Sequence, residues 1–359
     1  MSHTHKIWFH QSFISISIAL FMGFGLVSGE FEWESGNGYF KKIAALPTIT
    51  VDPTGHGHFS TIQSAIDHVP SDNKNWIRIH IKSGVYREKV TITRDKPFIV
   101  LEGEGQRRTI IVWDDHDTPA QSPTFSSFAD NFVARGISFK NTYNLQGLMG
   151  VNPRKPAVAA VIAGDKSSIY KCGFYGLQDT LWDAQGRHYF RHCHIEGAVD
   201  FIFGMGQSIY EKCAISVIAG DLNPYPGSPG YITAQGRNNP HDTNGFVFKH
   251  CRVFGRGITY LGRAWRGYSR VIFYKSSLSG IIVPEGWDAW NSIGHEDQIT
   301  YAEHLCHGLG SNTSERVSWE KKLSDNVVLE LTNMTFIDAE GWLRQQPLFR
   351  RMALKYWQP

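Results

Sequence analysis

Four cysteines recur in matched settings along the middle of this chain: Cys172 in YKCGF, Cys193 in FRHCHI, Cys213 in YEKCAI and Cys251 in FKHCRV. Each follows an aromatic residue by two or three positions, and the spacings are 21, 20 and 38 residues. The last is read as about two periods. Upstream, FVARGISF places Gly136 in the same slot, 36 residues before Cys172. A short unit repeated about every 20 residues cannot bury its own apolar face, and buries it by stacking on its neighbours. The units are rich in Val, Ile, Phe and Tyr and are punctuated by Gly, Asn and Asp, which favours strands over helices. The pattern predicts an all-β chain, a right-handed parallel β-helix with short helices at its ends. Equivalent positions then stack at about 4.8 Å.

The cysteines are expected to form an interior column. They read either as small buried apolar residues or as disulfide partners, since stacked neighbours have suitable spacing. The odd total of five leaves at least one thiol without an intramolecular partner, and Cys306 is read as lying outside the ladder.

Stacking gives meaning to GLQDTLWDAQGRHYFRHCHIEGAVDFIFG, Gly176 to Gly204. Carboxylates are rarely buried without a partner, yet Asp179 and Asp200 lie in apolar surroundings 21 residues apart. One period of separation predicts that they stack on adjacent coils. Two carboxylates so close split their pKa values, as an acid/base or nucleophile/acid pair requires. The alternative is that both cap turns. Gln178 shares a site with Asp179 only if the chain bends between them, because strand neighbours point to opposite faces. Arg263, in YLGRAWRG, wants a bidentate acid. It lies 63 residues beyond Asp200, about three coils, and is expected on the same face. A surface ion pair or a cation–π contact with Trp265 are its other readings.

Several chemistries are disfavoured. The formal net charge is +3 with a pI near 8.5, and no run of Lys and Arg is interleaved with aromatics, so a nucleic-acid partner is not expected. GEGQRR, from Gly103, lacks the third glycine of a dinucleotide loop. There is no Gly-x-Ser-x-Gly elbow and no His-Glu-x-x-His. His188, His192, Cys193 and His194 resemble metal ligands, but on a strand only His192 and His194 share a face. No metal and no cofactor are expected.

The N-terminus carries the apolar stretch FISISIALFMGFGLV followed by SGE. It is short and broken by serines, which favours a cleaved leader over 1–29 rather than an anchor. Residues 30–45 then form a short segment, and 46–359 the β-helix domain. The mature chain is expected to be secreted and free of the membrane. Asn312-Thr-Ser and Asn333-Met-Thr are glycosylation sequons consistent with that route.

From about Pro47 onward the chain resembles the pectin methylesterases of plants and bacteria. The resemblance rests on TVDPTGHGHFSTIQSAIDHVP, on IKSGVYREKVTI with its Gly84-x-Tyr86-x-Glu88 pattern, and on GLQDTLWD, GAVDFIFG, ITAQGRNNP and LGRAW. Only about sixteen residues separate Glu30 from Leu46, so the chain resembles the compact form without the helical inhibitor-like pro-region. The resemblance implies a secreted cell-wall enzyme that demethylates homogalacturonan through an acyl-enzyme. It implies Asp200 as nucleophile, Asp179 as acid and then base, Arg263 as the group orienting the nucleophile, and Gln178 as oxyanion donor. Phe203 and Trp265 would flank the substrate. It further implies a monomer, with pectin and a proteinaceous pectinesterase inhibitor as partners.

The chain departs from the family in two places that matter. A second glutamine of the family falls on Pro156, in KPAVAAV, and the residue before QDTL, usually aromatic, is Leu177. Ala264 stands where proline is common. Proline has no side-chain donor, and losing one oxyanion donor typically costs about 10²–10³ in rate. Gln146 or a backbone N–H in the long segment before Pro156 is a candidate replacement. A weakly active or non-catalytic wall-binding relative is therefore the main alternative, with a lyase or glycosidase on the same solenoid as a third reading.

Overall fold

Each coil of the chain wraps three short strands around a shared apolar interior. The computed structural model describes residues 46–116, 118–144, 154–221 and 227–349. The leader, the segment 30–45 and Gln146 lie outside these. Among the described residues the strands form three parallel sheets, one of ten strands and two of eight. The first sheet runs from Thr48–Val51 to Thr300–His304, the second from Gly84–Arg87 to Ser277–Leu278, and the third from Val90–Ile92 to Trp287–Asp288. Each coil visits the first, second and third sheet in turn, which is the predicted right-handed parallel β-helix.

Like residues stack on like. Phe190, Tyr210, Phe248 and Phe273 lie on successive coils with ring centroids 4.5–4.6 Å apart, close to the strand spacing itself. The helix Ile62–Asp67 covers one end of the interior with Ile62, Ala65 and Ile66. The helices Thr335–Asp338 and Trp342–Gln345 cover the outer face of the first sheet. There Ile337, Trp342 and Leu343 pack on a column that includes Val133, Tyr170, Tyr189, Ile209 and Val247.

The corner between the first and second sheets explains the cysteine repeat and corrects it. The corner is a single residue of positive φ: Gly136, Lys171, His192, Lys212, His250, Lys275 and Leu305. The residue after it turns inward, giving Cys172, Cys193, Cys213, Cys251, Ser276 and Cys306. Arg135 pairs with Tyr170, so Gly136 matches Lys171, and the counterpart of Cys172 is Ile137 rather than Gly136. Cys306 belongs to the ladder: its Sγ donates to the Phe273 carbonyl as that of Cys251 donates to Tyr210, and Ser276 separates the two cysteines. All five are free thiols. The 38-residue step is one coil, because Ser208 pairs directly with Phe246. Loops leave a solenoid at its corners without disturbing the ladder, so sequence distance overcounts the coils.

Candidate active site

GLQDTLW and GAVDFIF are the same turn, one coil apart. Gln178 bridges Val199, Leu181 pairs with Ile202 and Trp182 with Phe203, so Asp179 lies over Asp200. Both aspartates have positive φ, 61° and 49°. Asp is among the residues that tolerate this conformation best. A left-handed residue interrupts the in–out alternation of a strand and so sends a carboxylate out of the wall, at Asp200 between Val199 and Phe201, both packed in the core. At Asp200 the register also shifts between Val199 and Ile202. Such bulges re-aim side chains beside active sites. Gly197 makes the turn possible, because a Cβ there would lie 2.2 Å from the Phe201 Cβ.

Arg263 reaches Asp200 from the strand Thr259–Ala264, two coils on rather than three. The inserted loops account for the difference. Its Nε donates to Asp200 Oδ1 at 2.8 Å and its Nη2 donates to Oδ2, a bidentate fork. The guanidinium is clamped between two rings, 4.2 Å from Tyr231 and 3.8 Å from Trp290. Trp265 instead takes Arg266 at 5.3 Å. Rings and carboxylate together leave the guanidinium little freedom.

Burial and charge separate the two acids. Asp179 is 8% exposed and Asp200 7%. Burial pushes the Asp179 carboxyl up to about 8, and the neighbouring Asp200 charge adds to this against the pull of Arg263. Burial also raises Asp200, but the Arg263 fork opposes it directly and Arg154 adds a weaker pull. The fork favours the charged form of Asp200, so the proton of the pair resides on Asp179.

The two acids open into a cleft of about 440 Å³ walled by Trp182, Phe203, Trp265, Trp290 and Ala234, with Thr118–Ala120 among its lining. Trp182 stacks on Phe203 at 5.4 Å, and Phe203 meets Trp265 edge-on at 6.2 Å. Asp179, Asp200, Arg263, Phe203 and Trp265 are thus brought together. Gln178 stands beside them: its carbonyl accepts from the Ala157 N–H at 3.2 Å, and its side chain is half-buried. Trp182 and Trp290 were not foreseen. Trp182 was findable, since it stands three after Asp179 as Phe203 stands three after Asp200. Trp290 carries no local signal.

The histidines sort differently from the strand reading. His192 is a corner residue and His194 lies on the strand His194–Gly197, so they do not share a face. His188 is fully buried, with Nδ1 2.5 Å from Asp183 Oδ1 and Nε2 3.0 Å from the Gly164 carbonyl, while Tyr210 donates to Asp183 Oδ2 at 2.6 Å. Both ring nitrogens are engaged by oxygens of the interior.

The Pectinesterase family profile matches residues 48–342. The chain belongs to the pectinesterase family. It is 57% identical to "Probable pectinesterase 29" of Arabidopsis thaliana over 302 residues, 84% of this chain and 90% of that one. "Probable pectinesterase 55" of the same plant is also 57% identical, over 84% of this chain and 91% of its own length. Among solved structures, the pectin methylesterase from carrot superposes with a TM-score of 0.78 at 32% identity, covering 85% of this chain and 98% of its own. The Aspergillus niger enzyme superposes with a TM-score of 0.70 at 29% identity over 84% and 97%. The activity is that of a pectinesterase, hydrolysis of the methyl esters of pectin.

The departures from the pectinesterase pattern have distinct surroundings. Leu177 is buried in the interior core and Ala264 is fully buried there, so neither opens the cleft. Pro156 is half-buried beside Lys155, whose backbone is tied at both ends by Asn144: the Asn144 Nδ2 donates to its carbonyl at 2.5 Å, and its N–H donates to Asn144 Oδ1 at 3.1 Å.

Proposed function

We propose that the pectinesterase reaction of this chain runs through Asp200 as nucleophile and Asp179 as acid and base. The observation that carries the reading is the bidentate Arg263–Asp200 fork beside an acid that keeps its proton near neutrality. The Asp200 carboxylate adds to the carbonyl carbon of a methyl galacturonate, and the carbonyl electron pair moves to oxygen. Collapse breaks the bond to methoxide, which takes the Asp179 proton and leaves as methanol. An anhydride then joins Asp200 to the uronate. Asp179, now ionised, takes a proton from water as the water oxygen attacks the uronate acyl carbon. The anhydride bond breaks, Asp200 returns as carboxylate and the uronic acid departs. Arg263 keeps the nucleophile charged and aligned. Gln178 supplies an amide to the developing oxyanion, with Pro156 unable to add a second. Phe203 and Trp265, with Trp182 and Trp290, offer apolar faces to the sugar chain.

The leader over 1–29, export to the cell wall, a monomeric state and an inhibitor protein as partner belong to the same proposal. The leader and export are supported by the apolar N-terminal stretch and by the sequons, whose Asn312 and Asn333 are both exposed. The monomeric state and the inhibitor rest on the family resemblance alone. The test is purified mature protein on highly methylated pectin. The expected result is methanol and carboxylate in equal amounts, with neither new reducing ends nor unsaturated uronate. Pectin binding without methanol would instead favour the wall-binding reading.

A further inference from the structure

The corner between the first and second sheets carries a second feature, away from the cleft on the third sheet. Lys171, His192, Lys212, His250 and Lys275 occupy it on five consecutive coils. The N–H of Lys171 donates to the Arg191 carbonyl, that of His192 to Glu211, that of Lys212 to Lys249 and that of His250 to Tyr274. Each acceptor is the residue just before the next corner, so the five side chains stand in one column. At one coil step of about 4.8 Å the column is roughly 19 Å long. His192 is half-buried and the other four are exposed.

The fold does not ask for these residues. A positive φ is disfavoured for a residue with a Cβ and free for glycine, as Gly136 shows one coil earlier. Lysine is not among the types that favour the conformation. Residues that break a local rule without structural gain are expected at functional sites. Lys249 on the first sheet and Arg252 on the second add charge of the same sign, while Arg135 and Arg191 flank the column paired with Glu102 and Glu211. The nearby acids are already engaged. Glu211 pairs with Arg191 at 3.9 Å and accepts from the Tyr189 hydroxyl, and Glu196 pairs with His194 at 3.7 Å. Glu102 is held by Arg78 and Arg135, and Glu104 by His80 and Lys82. At one end the column opens into a groove of about 820 Å³ lined by Arg78, His80, Arg135 and Lys171 together with Glu102 and Glu104.

We propose that this ridge and groove form a second binding site for a linear polyuronate, the demethylated stretch of the polymer whose methyl esters the cleft removes. Lys171, Lys212 and Lys275 stand on alternate coils, about 10 Å apart. The histidines between them, held below their ordinary pKa by burial, offer neutral rings. This regular row of positive charge suits a polymer bearing repeated carboxylates and holds product-rich polymer without engaging the cleft. The choice of polyuronate rests on the pectinesterase reading.

The test is the mature chain with Lys171→Asn, Lys212→Asn and Lys275→Asn combined. Asparagine tolerates the corner conformation, and an unchanged thermal midpoint checks the fold. On immobilised polygalacturonate at low salt the variant is expected to bind at least tenfold more weakly, and its log affinity to fall less steeply with log salt, by two to three charges. Methanol release from a methylated oligomer too short to reach both sites is expected to be unchanged. On long, partly demethylated pectin, KM should rise with kcat unchanged. Binding within twofold of wild type would overturn the proposal. So would single-stranded DNA of matched charge eluting from the wild-type ridge at the same salt as polygalacturonate. Ridge-dependent binding in a wild type that releases no methanol would keep the ridge and discard the catalytic reading.

Discussion

Replacing Asp179 with Asn should stabilise the protein while disabling it, and the gain should depend on pH in a defined direction. In the folded chain burial and the neighbouring carboxylate hold Asp179 near pKa 8, against an ordinary value of 3.8. Below pH 4 the group is protonated in both states and contributes nothing. Between pH 4 and 8 the unfolded chain has lost the proton and the folded chain keeps it, so stability falls as pH rises. Above pH 8 the whole cost is present. A shift of roughly four units at 1.36 kcal/mol each sets a ceiling of about 5 kcal/mol. Asn removes the titration while keeping the shape. The thermal midpoint of Asp179→Asn should match wild type at pH 4 and exceed it by up to roughly 10 °C at pH 8, at about 2 °C per kcal/mol for a chain of this size. Methanol release should fall by about 10²–10⁴, the usual contribution of a positioned acid. The assay is scanning calorimetry of both proteins across that pH range. A midpoint difference that does not change with pH, or a variant less stable than wild type at pH 8, would refute the argument.

Arg263→Lys replaces a clamped fork with a point charge, so kcat/KM should fall at least roughly 10–100-fold, the worth of a charge-assisted hydrogen bond. The acid limb of its pH–rate profile should move to higher pH, because Asp200 loses the fork that opposes burial. Gly197→Ala places a methyl 2.2 Å from the Phe201 Cβ; it should cost about 2 kcal/mol in denaturant titrations and lower kcat more than KM. Pro156→Gln offers the missing amide and should raise kcat about tenfold or more with KM little changed, since an oxyanion donor acts only where charge develops. Steady-state kinetics at matched thermal stability checks it, and an unchanged kcat would mean that the site already has its donors.

The coil period and the stacked aspartates were legible because a solenoid turns sequence distance into spatial neighbourhood. That worked where coils are short, as between Asp179 and Asp200. It failed where loops leave the corners, which is why Arg263 was placed one coil too far and the step from Cys213 to Cys251 was counted twice. The face shared by His192 and His194 was misread for a different reason. Period-two alternation assumes strand geometry, but Asp179, Asp200 and His192 are left-handed residues, and Asp or His at such a position leaves no mark that distinguishes it from the same residue on a strand. The bend that lets Asp179 leave the wall beside Gln178 was therefore only a condition in the sequence. Trp290 approaches Arg263 from a later turn, and no repeat leads to it.

The most direct test of Asp200 as nucleophile is methanol release from highly methylated pectin by Asp200→Asn, with intact mass excluding reversion by deamidation. Loss of a covalent nucleophile should reduce turnover by at least roughly 10³ in a variant that still unfolds cooperatively and keeps its wild-type circular dichroism. Retention of more than about a tenth of wild-type turnover would contradict the account, since an amide cannot form the anhydride on which it depends.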